Sequence, residues 1–99
     1  MAKGTPHLRR ISNIPPSDRF TPAGMSMTGM GTVKLKLEEL ESMRLVDLAG
    51  MTQEAAAREV GVSRRTLWKD LKSARRKVAD ALCFGKTLEI RGGKYEVGG

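Results

Sequence analysis

The stretch that decides how this chain reads is "EVGVSRRTLWKDLKSARRKV", residues 59–78. Within and just beyond it, Leu67, Leu71, Ala74, Val78 and Ala81 recur at steps of four, three, four and three, the spacing of one face of an α-helix. Arg65, Lys69, Lys72 and Arg76 fall on the opposite side, with Trp68 and Arg75 along one flank. The pattern predicts a helix from Arg64 to about Phe84, apolar toward its own protein and basic toward whatever lies outside. Between Arg64 and Lys77, seven cations stand against one acid, Asp70.

Upstream, Thr52 is a good N-cap for "QEAAAREV", Gln53–Val60, and the small Ala55, Ala56 and Ala57 allow another helix to approach closely. Gly61 breaks that helix, Val62 offers an apolar anchor, and Ser63 caps the next. Two helices joined by a tight turn containing Gly form the helix-turn-helix pattern, here over Gln53–Lys72. In that motif the second helix enters the major groove of DNA and its N-terminal residues reach base edges. This nominates Ser63, Arg64, Arg65, Trp68, Lys69 and Lys72 as base-reading residues. Arg pairs bidentately with guanine O6 and N7, and Lys does so less rigidly. For Trp68, packing against the N-terminal arm or the C-terminal strands is an equal alternative. Arg75, Arg76 and Lys77 are assigned to phosphates, which position a protein without reading sequence. Arg9 and Arg10 are assigned to the DNA backbone or minor groove, with a solvated tail as the plain alternative. Asp70 is expected to be solvated or paired with the arm.

Working outward, "TVKLKL" (Thr32–Leu37) alternates apolar and basic residues and predicts a short strand. From Glu38 the spacing turns helical, with Leu37, Leu40, Met43, Leu45 and Leu48 on an apolar side. Glu38, Glu39 and Glu41 are expected on a solvated first turn that suits the helix dipole, and Gly50 is expected at C′. Residues 1–31 hold all four prolines and predict an extended arm, with Leu8, Ile11, Ile14, Phe20, Met25, Met27 and Met30 available to dock. At the other end, Thr87–Arg91, a Gly92-Gly93 turn and Lys94–Val97 predict a β-hairpin lying on the helices or pairing with Thr32–Leu37. The expected fold is mainly α. A three-helix helix-turn-helix core (32–84) carries an extended N-terminal arm (1–31) and a short C-terminal β-hairpin (85–99).

Ninety-nine residues leave little room for a deep cleft beside a core. The net charge of +7 favours a polyanionic partner. It is concentrated around the stretch quoted above, which points to a binding face rather than to general solubility. Cys83 is the lone cysteine, so neither an internal disulfide nor a cysteine zinc cluster is expected. His7 and Cys83 read as a dangling His and a buried Cys, not as metal ligands. No apolar run approaches the length of a bilayer span, and "MAKGTPHLRR" lacks a secretory apolar core. A cytoplasmic, nucleoid-associated setting is expected. No nucleophile, base and orienting acid can be named together, and no phosphate-binding Gly loop is present, so neither an enzyme nor a cofactor is expected.

"RRISNIPPSDRFTPAG", "LEELESMRLVDLAGMTQEAAAREVGVSRRTLWKDLKSARRKVADAL" and "GKTLEIRGG" together span most of the chain. On these segments the sequence resembles a group of small, largely uncharacterised prokaryotic proteins regarded as DNA-binding. Their helix-turn-helix is similar to the promoter-reading fourth region of sigma factors. Members of that group often have Cys where this chain has Leu8. The resemblance implies the fold and DNA binding.

The expectation is sequence-specific binding to double-stranded DNA by a transcriptional regulator. Homodimers are the habit of such motifs, with half-sites about 34 Å apart. The alternatives are an adaptor that docks on the transcription machinery, such as RNA polymerase, and an RNA-binding protein. The latter is disfavoured by few aromatics for base stacking.

Overall fold

One 21-residue helix, Arg64–Phe84, packs against both other α-helices and against two of the strands. The computed structural model describes residues 9–11, 15–24, 31–92 and 95–97. In order these form β1 (Arg9–Ile11), β2 (Arg19–Phe20), β3 (Thr32–Leu35), α1 (Leu37–Met43), a π-helical stretch (Arg44–Leu48), α2 (Gln53–Val60), α3 (Arg64–Phe84), β4 (Thr87–Ile90) and β5 (Tyr95–Val97). The architecture is three α-helices with a small three-stranded sheet, ordered β2-β4-β3, and a separate β1-β5 pair.

The stripe of α3 is buried as its spacing predicts, and it serves two apolar clusters. Leu67 packs with Leu45, Ala56, Ala57 and Val60, with Val62 and Met51 at the margin. Further along, Ala74 packs with Ile11, Leu35, Leu37 and Ile90, with Val78 and Leu88 against them. Leu71 is fully buried on the same stripe. Truncating Leu67 or Leu71 to Ala would cost about 2–5 kcal/mol. The alanines of α2 do what small residues allow, since Ala56 and Ala57 are buried where α2 meets α3.

The strand ends at Leu35 rather than Leu37, and α1 starts one residue before Glu38. The Lys36 N–H donates to Glu39 Oε1 at 2.9 Å and fixes that start. The expected continuous first helix instead widens after Met43, where the Ala49 N–H reaches the Arg44 carbonyl, five residues back, at 2.8 Å. Helical phase is lost across that stretch. Leu45 stays buried, while Leu48, expected on the apolar side, is 82% exposed. Gly50 adopts a left-handed φ of 78° just beyond it.

The C-terminal hairpin does not form. β4 lies between β2, to which it is antiparallel, and β3, to which it is parallel, pairing Leu35 with Ile90 and Phe20 with Leu88. β5 pairs in parallel with β1. Gly93 and Lys94, half of the expected turn and the start of its return strand, lie outside the described residues. An isolated two-stranded hairpin is marginal in water. As the central strand, β4 instead satisfies both backbone edges and tucks Ile90 under α3.

The same pairings draw the arm into the fold. Ile11 is 1% exposed in the core, whereas Phe20 remains 56% exposed. Leu8, Ile14, Met25, Met27 and Met30 lie outside the described residues.

Candidate functional site

The turn between α2 and α3 is set by three residues. Gly61, at φ 87°, ends α2 in the left-handed region, and the N–H groups of Gly61 and Val62 both reach the Ala57 carbonyl, at 2.8 and 3.0 Å. Ser63 then caps α3, its Oγ accepting the Thr66 N–H at 3.1 Å. The same hydroxyl donates to Thr66 Oγ1. Ser63, expected among the base-reading residues, is therefore engaged as a cap within the protein.

Beyond the cap, Arg64, Arg65, Trp68, Lys69, Lys72 and Arg76 are all exposed. No hydrogen bond or ion pair joins any of these six side chains to another described residue. Arg64, Arg65 and Trp68 share a concavity of about 440 Å³ with Gln53, the first residue of α2. The sequence reading missed Gln53. Its place directly after the Thr52 cap, beside a second helix start, was the available signal.

Two arginines in the first turn of α3, with no acid there, oppose the helix dipole. Each such cation is disfavoured by about 0.3–1 kcal/mol when exposed. An anion placed at this helix start would be favoured by both guanidinium groups and by the dipole.

The other predicted cations are tied inward. Lys77 donates to Glu39 at 2.8 Å, and Ser73 donates to the same carboxylate at 2.5 Å. Burial pushes the Glu39 carboxyl up, but the hydrogen bonds from Lys77, Ser73 and the Lys36 N–H, with the Lys77 charge, outweigh it and hold it below its ordinary value. Arg75 grips Asp47 in two hydrogen bonds, of 3.1 and 2.6 Å, which lower the Asp47 carboxyl and raise the guanidinium. Arg9 reaches Asp70 at 2.8 Å and Glu38 at 3.4 Å and is largely buried. Arg10 donates to the carbonyls of Arg58 and Glu59 at the end of α2. Arg9, Arg10 and Lys77, expected at phosphates, thus make contacts within the protein, and Arg75 is paired with Asp47. Of the five, Arg76 has no hydrogen-bond or ion-pair partner among the described residues.

Glu38, Glu39 and Glu41, expected on a solvated face, are buried, because α1 turns them toward Arg9, Lys77 and Arg44 respectively. Arg44 grips Glu41 through two hydrogen bonds of 2.9 Å, which raise the guanidinium pKa. Cys83 is exposed rather than buried, and His7 lies outside the described residues. Among the described residues no group of three or more His, Cys, Asp or Glu is arranged to hold a metal ion, and no helix is long and apolar enough to cross a membrane.

Residues 1–98 of this chain match the profile of the family described as "Protein of unknown function DUF134". The chain belongs to that family. A UPF0251 protein of Methanosarcina acetivorans is 52% identical over 87 residues, which cover 88% of this chain and 78% of the relative. One from Methanococcus vannielii is 50% identical over 96 residues, 96% of this chain and 74% of the relative. A third, from Methanosarcina mazei, is 46% identical over 88% of this chain but only 52% of its own length. No solved structure matches the chain. The family is thus a small, uncharacterised prokaryotic one with archaeal members.

Proposed function

We propose that this protein binds double-stranded DNA in a sequence-specific way through a helix-turn-helix made of α2, the Gly61–Ser63 turn and α3, and that it regulates transcription. The observation that carries the reading is the row Arg64, Arg65, Lys69, Lys72 and Arg76, exposed along one helix without partners among the described residues. A solvated face would not need two of these cations against the helix dipole. In this reading Arg64, Arg65, Lys69 and Lys72 approach base edges, with Trp68 and Gln53 in the concavity beside them. Arg76 meets phosphate further along the groove. Nucleoid association follows from such binding, and a homodimer with two half-sites is its ordinary form.

The test is a duplex selected by the protein from a random pool, titrated across salt concentrations. With on the order of five phosphate contacts per protomer, log K should fall against log salt with a slope of about −4 to −5. Arg65→Ala should weaken the selected duplex by about five- to a hundredfold and relax preference at one position. Arg76→Ala should weaken all sequences alike and reduce the slope by about one. Identical behaviour of the two variants across a duplex panel would remove the proposed division of labour.

A protein-docking adaptor is the second reading. It is favoured by exposed Phe20, Leu82 and Phe84 toward the C-terminal end of α3, the first two bordering an apolar groove. Association with RNA polymerase that survives high salt and needs no DNA would support it instead.

A further inference from the structure

The strand β1 carries Arg9, Arg10 and Ile11, and successive side chains of a strand point to opposite sides. Arg9 and Ile11 face inward. Ile11 enters the core beneath α3, and Arg9 bonds Asp70, in the second turn of α3, and Glu38 on α1. Arg10 points the other way, over the end of α2, where its Nη2 donates to the Arg58 carbonyl at 3.1 Å and its Nε to the Glu59 carbonyl at 3.3 Å. A cation there satisfies carbonyls that a helix leaves unpaired and meets the negative end of its dipole. The same guanidinium lies over the turn, 3.4 Å from where a side chain would begin on Gly61.

Two adjacent residues of one short strand therefore hold the helices on either side of the turn. Arg10 holds the end of α2, and Arg9 holds the start of α3. The turn between them has three residues, so the angle between the helices decides where Arg64 and Arg65 point. Side chains that read a ligand work only when a surrounding layer fixes them to fractions of an ångström.

We infer that Arg10 is a positioning residue for sequence discrimination: it clamps the α2–α3 turn and does not itself contact the nucleic acid. This rests on the DNA-binding reading above. It separates Arg10 from Arg76, the proposed phosphate contact, although both carry the same charge. A phosphate contact adds to the salt slope and strengthens every duplex alike. A clamp leaves the slope unchanged and alters only the preference for the selected site over other DNA.

The experiment uses the full chain with Arg10→Ala and Arg10→Lys, a selected duplex and poly(dI-dC) as non-specific DNA. It measures the affinity ratio, the salt slope and amide hydrogen exchange. Arg10→Ala should lower the ratio by about fivefold, corresponding to lost hydrogen bonds, with the slope unchanged. Exchange at the Gly61 and Val62 amides, both bonded to the Ala57 carbonyl, should accelerate about fivefold as the turn opens more often. Arg10→Lys should behave like Arg10→Ala, because an ammonium is a point charge that does not reproduce a planar fork across two carbonyls. A slope reduced by about one for Arg10→Ala and restored by Arg10→Lys would make Arg10 a phosphate contact and overturn the inference. Unchanged exchange and an unchanged ratio would overturn it too. If the unaltered protein binds no duplex, the DNA reading fails by itself and the inference about discrimination falls with it. Exchange at Gly61 and Val62 then still reports whether Arg10 clamps the turn.

Discussion

Lys72 and Lys77 stand on the same helix, five residues apart, and have opposite surroundings. Lys72 is exposed without a partner among the described residues, while Lys77 is held against Glu39 at 2.8 Å with only 29% of its side chain exposed. The contrast extends to two regions of the molecule. The outer face of α3 keeps its cations unpaired among the described residues, whereas Arg75 and Lys77 of α3 are matched to Asp47 of the π-helical stretch and Glu39 of α1, and Arg9 of β1 to Asp70 of α3. Charge type alone does not distinguish the two groups. What separates them is whether the fold itself supplies an anion, which leaves only the unpaired group available to one from outside.

The largest effect that would sharpen this contrast is expected at Arg9. Arg9→Ala strands Asp70, whose side chain is 15% exposed, and removes one contact of Glu38; losing one partner of a buried ion pair costs about 3–5 kcal/mol. Some exposure of the pair places the expected loss toward the lower end, read as a drop in denaturant midpoint. Arg64→Ala, on the outer face, should leave stability within about 0.5 kcal/mol while weakening the DNA binding proposed above. Comparable stability losses in both variants would erase the distinction.

A smaller effect follows from Glu39. Its carboxyl is held below its ordinary value of 4.5, so the folded state binds the proton less readily than the unfolded chain. The stabilisation is therefore full above that ordinary value and disappears as pH falls through the lower folded value. Acid unfolding should begin there, and Lys77→Met should shift its onset to higher pH. An unshifted acid limb would show that the Glu39–Lys77 pair contributes nothing to it.

Smallest is the Arg75–Asp47 pair, where 45% and 38% of the side chains are exposed. Solvent screening limits such a pair to about 0.2–1 kcal/mol. Arg75→Ala should change stability by no more than that. It should leave the salt slope of DNA binding unchanged if Arg75 stays on Asp47 in the complex, and a slope reduced by about one would move Arg75 to the outer group.

The helical half of this molecule was legible in the sequence because its signals are local. Thr52 and Ser63 as caps, Gly61 as breaker and the Leu67–Ala81 stripe each act within a turn or two, and all three helix boundaries nearby followed. Most of the misread features depend on distant partners. Glu38 and Glu39 looked like a solvated first turn because nothing local shows that Arg9 and Lys77 close over them, whereas Arg44, a partner of Glu41, lies only three residues on. For Thr87–Arg91, pairing with the Thr32–Leu37 segment was expected and is found, but it looked like half of a hairpin because its second neighbour, Arg19–Phe20, lies more than fifty residues away. Leu48 was misplaced by a change of winding that leaves no trace in apolar spacing. In the candidate site, the exposed cations were legible from periodicity, as was an arm partner for Asp70, found in Arg9, while the contacts of Arg10 with the end of α2 and of Lys77 with Glu39 were not.

The parallel pairing of β1 with β5 has a consequence for synthesis. Arg9–Ile11 is among the first described segments to leave the ribosome, and its strand partner Tyr95–Val97 is the last. Pairings between such distant segments are slow to close, because a long loop must be ordered before they form. A nascent chain halted short of Tyr95 would carry α2 and α3 complete but would lack the strand that anchors β1. Ribosome-bound chains of increasing length should therefore acquire helix before they acquire any preference among duplexes.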